Sequence, residues 1–456
     1  LTSFNTRLRY QLPISLALFQ SVLLVVFILY VDYDDQSNNP SVSNATTTTK
    51  ENQLYGTFPF FKDINVMLFI GLGLMLSFLK FYGFGGLAFN FLIANFSIQW
   101  SLVVQGFFYY NQDGRISLGI KNLVDAEFAA VTAMISAGAF LGRVSPVQLL
   151  LLCLMEIPLF VMNNWIITKY FHIIDIGGTV SIHVFSCYFG LGVARIFYHP
   201  ELSLGHPKEK TTPNSDLMSL VGTVFLWIFW PSFNSVAATV GNAQHRAVLN
   251  TFLALSASTL TTFALSSLLN KKGQISLVHL QNATLAGGVA VAITADMIIK
   301  PAGAFGLGCL AAIACILGFQ YSSPFLARRL KIQDQCGIHN LHGLPGIIGT
   351  LGSIIFILSG LVDSSNLKHN GELFHDNSFH DNTVLKVWGT GQTWDARDQA
   401  LHQAAAFGVT FGVSLLGGLI TGLLLKVPCV VHPSHEFYFD DKPFFQELLT
   451  VPPCLI

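Results

Sequence analysis

Three histidines stand inside long apolar runs, and they are the side chains in this sequence best placed to do chemistry. His339 and His342 lie in Asp334-Gln335-Cys336-Gly337-Ile338-His339-Asn340-Leu341-His342-Gly343-Leu344-Pro345-Gly346, which opens an apolar run with no other ionisable group. His183 closes Asp175-Ile176-Gly177-Gly178-Thr179-Val180-Ser181-Ile182-His183. Both segments read Asp, seven residues, His, and each stands at the mouth of an apolar stretch. An imidazole can exchange a proton, ligate a metal, or hold a hydrogen bond while presenting its second nitrogen to something else. His339 and His342 at i, i+3 have metal spacing, but no third Cys, His or acid accompanies them, so no metal is expected there.

The elements that hold these residues follow from composition. Hydrophobic residues make up 52% of the 456, charged residues only 11%, and the mean hydropathy is +0.55. Apolar stretches of about 20 residues, continuous rather than alternating, predict membrane-spanning helices and exclude a barrel. The expected fold is therefore all-α and polytopic, with about 12 transmembrane helices near 11–31, 63–81, 86–110, 122–142, 145–167, 176–198, 216–235, 246–269, 276–296, 301–321, 336–361 and 399–426. A net charge of −1 gives no reason to expect a nucleic-acid partner. All seven cysteines fall in apolar runs, at their mouths or in the tail, which argues against a disulfide framework. Arg7 and Arg9 precede the first run as in a signal peptide, but Leu29-Tyr30-Val31-Asp32-Tyr33 offers no small-residue cleavage site, so a retained anchor helix is expected over 1–31.

Cations near span ends set the orientation. Arg7, Arg9, Lys80, Arg143, Lys208, Lys210, Lys271, Lys272, Arg328, Arg329, Lys331 and Lys426 fall on one side if the N-terminus is cytoplasmic. Both termini are then expected in the cytoplasm, with a cytoplasmic loop at 199–215 and a cytoplasmic tail at 427–456. Loops at 32–62 and 362–398, rich in Asp, Asn, Ser and His, face outward. Asn44-Ala45-Thr46 is a glycosylation acceptor on that outer side, so Asn44 is the expected glycan site. Asn95-Phe96-Ser97 and Asn282-Ala283-Thr284 match the same pattern inside spans, where no transferase reaches.

The two Asp-to-His segments open the sixth and the eleventh spans. Five is an odd separation, so the spans run in opposite directions, as in an inverted-topology repeat. The expected repeats are 63–198 and 216–361, five helices each, followed by a last helix at 399–426. Eight residues rise about 12 Å, against a half-thickness of about 15 Å for the hydrocarbon core, so His183 and His342 reach a common depth from opposite sides. Two imidazoles in contact there hold one Nδ1–H···Nδ1 bond and leave one donor and one acceptor. Burial disfavours the charged imidazolium, and a neutral pair in a dry lumen suits a small neutral molecule such as ammonia rather than a cation. Asp175 and Asp334 stand at helix starts, where capping accounts for them, so they are supporting residues.

With these segments, Gln281-Asn282-Ala283-Thr284-Leu285-Ala286-Gly287-Gly288-Val289-Ala290-Val291 and Phe225-Leu226-Trp227-Ile228-Phe229-Trp230-Pro231-Ser232-Phe233-Asn234-Ser235, the chain resembles the Rh glycoproteins of the ammonium transporter/Rh superfamily over nearly all its spans. The resemblance implies an eleven-helix bundle with one extra N-terminal helix, a homotrimer with one pore per subunit, a plasma-membrane location, and passage of ammonia after deprotonation of ammonium. It implies a conduit and not an enzyme, and it calls for no cofactor. Carried over, the twin pore histidines are His183 and His342, with His339 as neighbour. The paired phenylalanine gate is Phe128 and Phe233, followed by the supporting Asn234. Where many relatives carry Asn-Glu-Tyr, with an acid that draws ammonium in, this chain has Asn163-Asn164-Trp165. The cation-binding Trp and Ser of bacterial and plant transporters have no counterpart placed here, in keeping with an electroneutral mode. Methylammonium or carbon dioxide as cargo, a non-transporting membrane scaffold, and a cytoskeletal partner at the tail are the alternatives carried forward. Small residues at Gly287-Gly288, Gly408/Gly412 and Gly418/Gly422 allow close helix contacts within or between subunits.

Overall fold

The structure is a computed structural model describing residues 3–34, 37, 52–109, 111–112, 114–360 and 395–446. Asn44, nearly all of 362–398 and Cys454 lie outside the described residues. Twelve long helices follow one another among the described residues: α1 Ser3–Tyr30, α2 Gln53–Met75, α3 Gly83–Tyr109, α4 Ile120–Gly138, α5 Pro146–Lys169, α6 Thr179–Ile196, α7 Pro213–Ser235, α8 Asn242–Leu269, α9 Leu277–Thr294, α10 Lys300–Leu330, α11 His339–Leu358 and α12 Ala396–Leu425. Among the described residues, eleven are long and apolar enough to cross a membrane. The other is α4, where every 18-residue window holds Lys121, Asp125 and Glu127.

Local chemistry sets several starts. Ser145 accepts from the Gln148 N–H at 3.2 Å while Gln148 reaches back to the Ser145 N–H at 2.9 Å, with Pro146 at the first helical position. Thr212 with Ser215 and Asp395 with Asp398 make the same reciprocal pair before α7 and α12. The second helix departs from expectation. It begins at Gln53, ten residues before the expected 63, because Asn52 caps it by accepting from the Leu54 N–H, and it ends at Met75 instead of 81. Lys62 and Asp63, which read as the edge of an aqueous loop, therefore lie within a helix. A small sheet was also not foreseen. Strands β1 (Val31–Tyr33), β2 (Asn111–Gln112) and β3 (Arg115–Leu118) pair in the order β1-β3-β2, Val31 opposite Ile116, with Arg115 bonded to Asp32 at 2.6 Å.

Helix α1 lies outside the bundle. Only 6% of its apolar window is buried, against 83% for α6 and 78% for α9, so α6 and α9 form the interior. The six described cysteines are all free. Asn95 and Asn282 each donate to the carbonyl four residues earlier, at 2.9 Å, which accounts for them as polar groups within helices.

The face where α1 begins is tied together by side chains. Arg7 donates to the Pro428 carbonyl at 2.6 Å, Lys208 pairs with Asp440 at 2.7 Å, and buried Arg143 donates to the Gln333 carbonyl at 2.8 Å. The two ends of the described chain are thus on one face. The tail docks through Asp441, which accepts from the Phe84 and Gly85 N–H groups at 2.8 and 2.7 Å and so caps α3 from 356 residues away. Burial first, with Asp440 adding, pushes the Asp441 carboxyl up to about 6 despite those bonds. A folded value above the ordinary 3.8 means the docked state takes up a proton: the stabilisation is complete below about 3.8 and is lost as pH rises through about 6. A fluorophore reporting tail docking is expected to show firmer docking at pH 5 than at pH 8, and Asp441→Asn should flatten that dependence.

Candidate functional site

Helices α6 and α11 start alike. Each opens with a wide, π-type turn, Thr179–Val184 in one and His339–Gly343 in the other. Such turns are rare and recur at functional sites. Asp175 accepts from the Val180 and Ser181 N–H groups at 3.0 and 2.8 Å and from the Ser181 hydroxyl at 2.9 Å. Asp334 accepts from the Ile338 and His339 N–H groups at 3.0 and 2.8 Å. In both, the residue three after the aspartate is a glycine in the left-handed region, Gly178 at φ 76° and Gly337 at φ 72°. The shared unit is therefore Asp-x-x-Gly-x-x-x-x-His. Its glycine was visible in the sequence and strengthens the repeat, since only glycine takes that backbone at no steric cost.

This local geometry delivers the two histidines to one another. His342 Nδ1 lies 3.1 Å from His183 Nδ1, with the rings 5.1 Å apart and 13° from parallel. Both residues are buried, and Trp230 stacks 5.8 Å from His183. Phe128 and Phe233 meet edge to face at 4.8 Å, and Phe233 sits 6.1 Å from His183. Beside the pair is a cavity of about 40 Å³ open to the centre of a water-sized molecule. At roughly 10–15 Å³ per molecule it has room for about three or four. Most of its wall is apolar, with Met67, Val131, Met134, Leu226 and Phe233, and His183, His342, Trp230, Asn282 and Cys336 line it as well.

Of the other residues singled out in the sequence, Asn234 borders this centre and His339 does not line its cavity. Asn234 donates to the Gly288 carbonyl and the Thr251 hydroxyl, both at 3.1 Å, and thereby joins α7 to α8 and α9 beside Phe233. His339 turns elsewhere: its Nδ1 is 3.1 Å from the Ser322 hydroxyl on α10, and its ring faces Tyr188 at 6.2 Å. It is not among the cavity walls. Two buried acids lie close by in the sequence of the site elements. Glu127, next to Phe128, has neither carboxylate oxygen hydrogen-bonded, and Glu156 lies 2.5 Å from the Ser136 hydroxyl, which is also 2.9 Å from the Ser186 carbonyl and can donate to one of the two. The three-residue interruption of apolarity in α4 was the available signal for Glu127.

A bundle of membrane-length helices with paired imidazoles beside a mostly apolar cavity defines a polytopic membrane protein with a buried central site. The model of the Ammonium Transporter Family matches residues 22–440. The chain is 41% identical to the ammonium transporter Rh type C of Homo sapiens over 447 residues, 97% of this chain and 91% of the relative. To the ammonium transporter Rh type B-A of Xenopus laevis it is 40% identical over 451 residues, 98% and 95% of the two chains. The chain belongs to the ammonium transporter family, with relatives of Rh type. Among solved structures, Nitrosomonas europaea Rh50 superposes with a TM-score of 0.71 at 29% identity, covering 89% of this chain and 94% of that one. Mep2 of Saccharomyces cerevisiae shares the fold, with a TM-score of 0.62 at 20% identity over 83% and 86%.

Proposed function

We propose that this protein is an electroneutral ammonia channel. Ammonium gives up its proton at one vestibule, ammonia passes Phe128 and Phe233 and then the His183/His342 pair, and a proton is regained on the far side. The observation that carries this reading is the 3.1 Å Nδ1 contact in an apolar cavity. Such a contact needs one nitrogen as donor and one as acceptor, so the two rings cannot both be imidazolium. An ion entering such a space loses its hydration without gaining a counter-charge, a cost far above that of a neutral amine. His183 Nε2 is buried with no hydrogen-bond partner and is free to meet a passing molecule. The loop orientation expected from the cations puts the Phe pair on the outer side of the histidines, at a plasma membrane, and the family resemblance supports a homotrimer with a pore in each subunit.

Proteoliposomes given an ammonium pulse should alkalinise internally faster than protein-free vesicles. Equal rates would overturn the reading. Electroneutrality is tested by clamping the potential. Moving one elementary charge through 100 mV is worth about 2.3 kcal/mol, so an electrogenic path would change rate by up to roughly 50-fold, whereas the expected change is none.

A further inference from the structure

We propose a second site on the face where α1 begins: a binding site for one divalent transition-metal ion of the zinc class, formed by His199, Glu201 and His435. It joins the segment linking α6 to α7 with the tail that follows α12. Two of these residues lie immediately after α6, in and beside the short turn Pro200–Leu204, and the third is more than 230 residues away, so only folding assembles them.

The distances suit three ligands of one shared ion. Glu201 Oε2 lies 3.9 Å from His199 Nδ1 and 3.6 Å from His435 Nδ1, and one ligand atom from each of the three residues falls within 4.8 Å of the others. Both contacts are longer than a hydrogen bond, which ends near about 3.2 Å. They suit a tetrahedral edge: with metal–ligand bonds of about 2.0–2.2 Å, neighbouring ligand atoms stand roughly 3.4 Å apart, so small side-chain rotations close the site. Two imidazoles and one carboxylate form a ligand set that zinc favours, with a fourth position left for water. The ligands are accessible, Glu201 at 69% and His199 at 47% side-chain exposure, so an ion enters without opening the bundle.

The surroundings hold the donors in register. His206 is not a fourth ligand, since its Nδ1 receives the Lys208 N–H at 3.2 Å and its Nε2 meets the His435 carbonyl at 3.2 Å. The Lys208 ammonium donates to the Glu436 carbonyl at 2.7 Å, fixing the residue next to His435. The backbone carrying His435 is thus already anchored to the linker that carries Glu201. Outer contacts of this kind orient metal ligands. The ion completes a clip between the linker joining the two halves of the bundle and the tail.

The test uses the full chain purified without a polyhistidine tag. Zn²⁺ titrated against a chromophoric chelator should bind at one equivalent per chain, and His199→Ala, Glu201→Gln and His435→Ala should each weaken binding by at least about tenfold, while the ammonium pulse measured without metal stays as in wild type. Exposed Glu436, beside His435, offers a cleavage site in the tail, and Zn²⁺ should slow a glutamate-specific protease there in wild type but not in Glu201→Gln at the same Zn²⁺ concentration. Binding that all three variants leave unchanged, no saturable binding in wild type, or cleavage insensitive to Zn²⁺ would overturn the proposal.

Discussion

Replacing His342 with leucine is expected to slow ammonium-driven alkalinisation of proteoliposomes by about tenfold or more. Leucine keeps the bulk of the side chain but removes the partner 3.1 Å from His183 Nδ1, leaving that nitrogen buried and unpaired. An ammonia crossing this point without its partner carries an unsatisfied polar group, a cost of about 1–3 kcal/mol, and every 1.4 kcal/mol added to a barrier is a factor of about ten in rate. A passing ammonia also loses one of the two imidazoles beside the mostly apolar cavity. His183→Leu should act alike, and the double variant should be little slower than either single one, because the rings work as a unit and such effects are not additive. Elution as a folded species from size-exclusion chromatography guards against misfolding. A His342→Leu protein that conducts as fast as wild type would remove the histidine pair from the mechanism.

The largest stability effect is expected at Gly418. A Cβ there would meet the Phe189 backbone, 2.1 Å from its carbonyl oxygen and 2.9 Å from its carbonyl carbon, where α12 crosses α6. Backbone of a buried helix cannot swing aside as a side-chain tip can, so Gly418→Val must push the helices apart. Overpacking typically costs about 1–3 kcal/mol, and contact with main chain on both helices puts this position at the upper end. A drop in thermal midpoint of several degrees, read by tryptophan fluorescence in detergent, is expected. The same change at Gly408 or Gly412 should leave the midpoint of the isolated subunit unchanged, because a Cβ at either has nothing within 4 Å. Equal destabilisation at Gly412 and Gly418 would show that the α6–α12 crossing is not what limits stability.

These glycines show where sequence reading stops. Gly408/Gly412 and Gly418/Gly422 have the same spacing in the same apolar helix, so composition treats them as equivalent. Folding separates them: the second pair is pressed on α6, at Phe189, Val193 and Ile196, and the first faces open space. Spacing records that a close approach is allowed, whereas the path of the neighbouring helix decides where it happens. His339 and His342 divide for the same reason. Both lie in the wide first turn of α11, yet one is directed to Ser322 and the other to His183, because the turn points them at different helices.

By itself, the sequence determined the class of fold, the number of long apolar helices and the family, since each follows from runs of residue types or from motifs contiguous along the chain. The shared Asp-to-His spacing also singled out His183 and His342, which the fold brings within 3.1 Å of one another. Tertiary structure decided what contiguous residues cannot encode. It set Asp441 on the start of α3 and gathered His199, Glu201 and His435 into one cluster. It also placed Phe128 of α4 against Phe233 of α7. In each case the partners are far apart in the chain, and only the docking of helices and tail brings them within reach of a hydrogen bond, a metal or a ring contact.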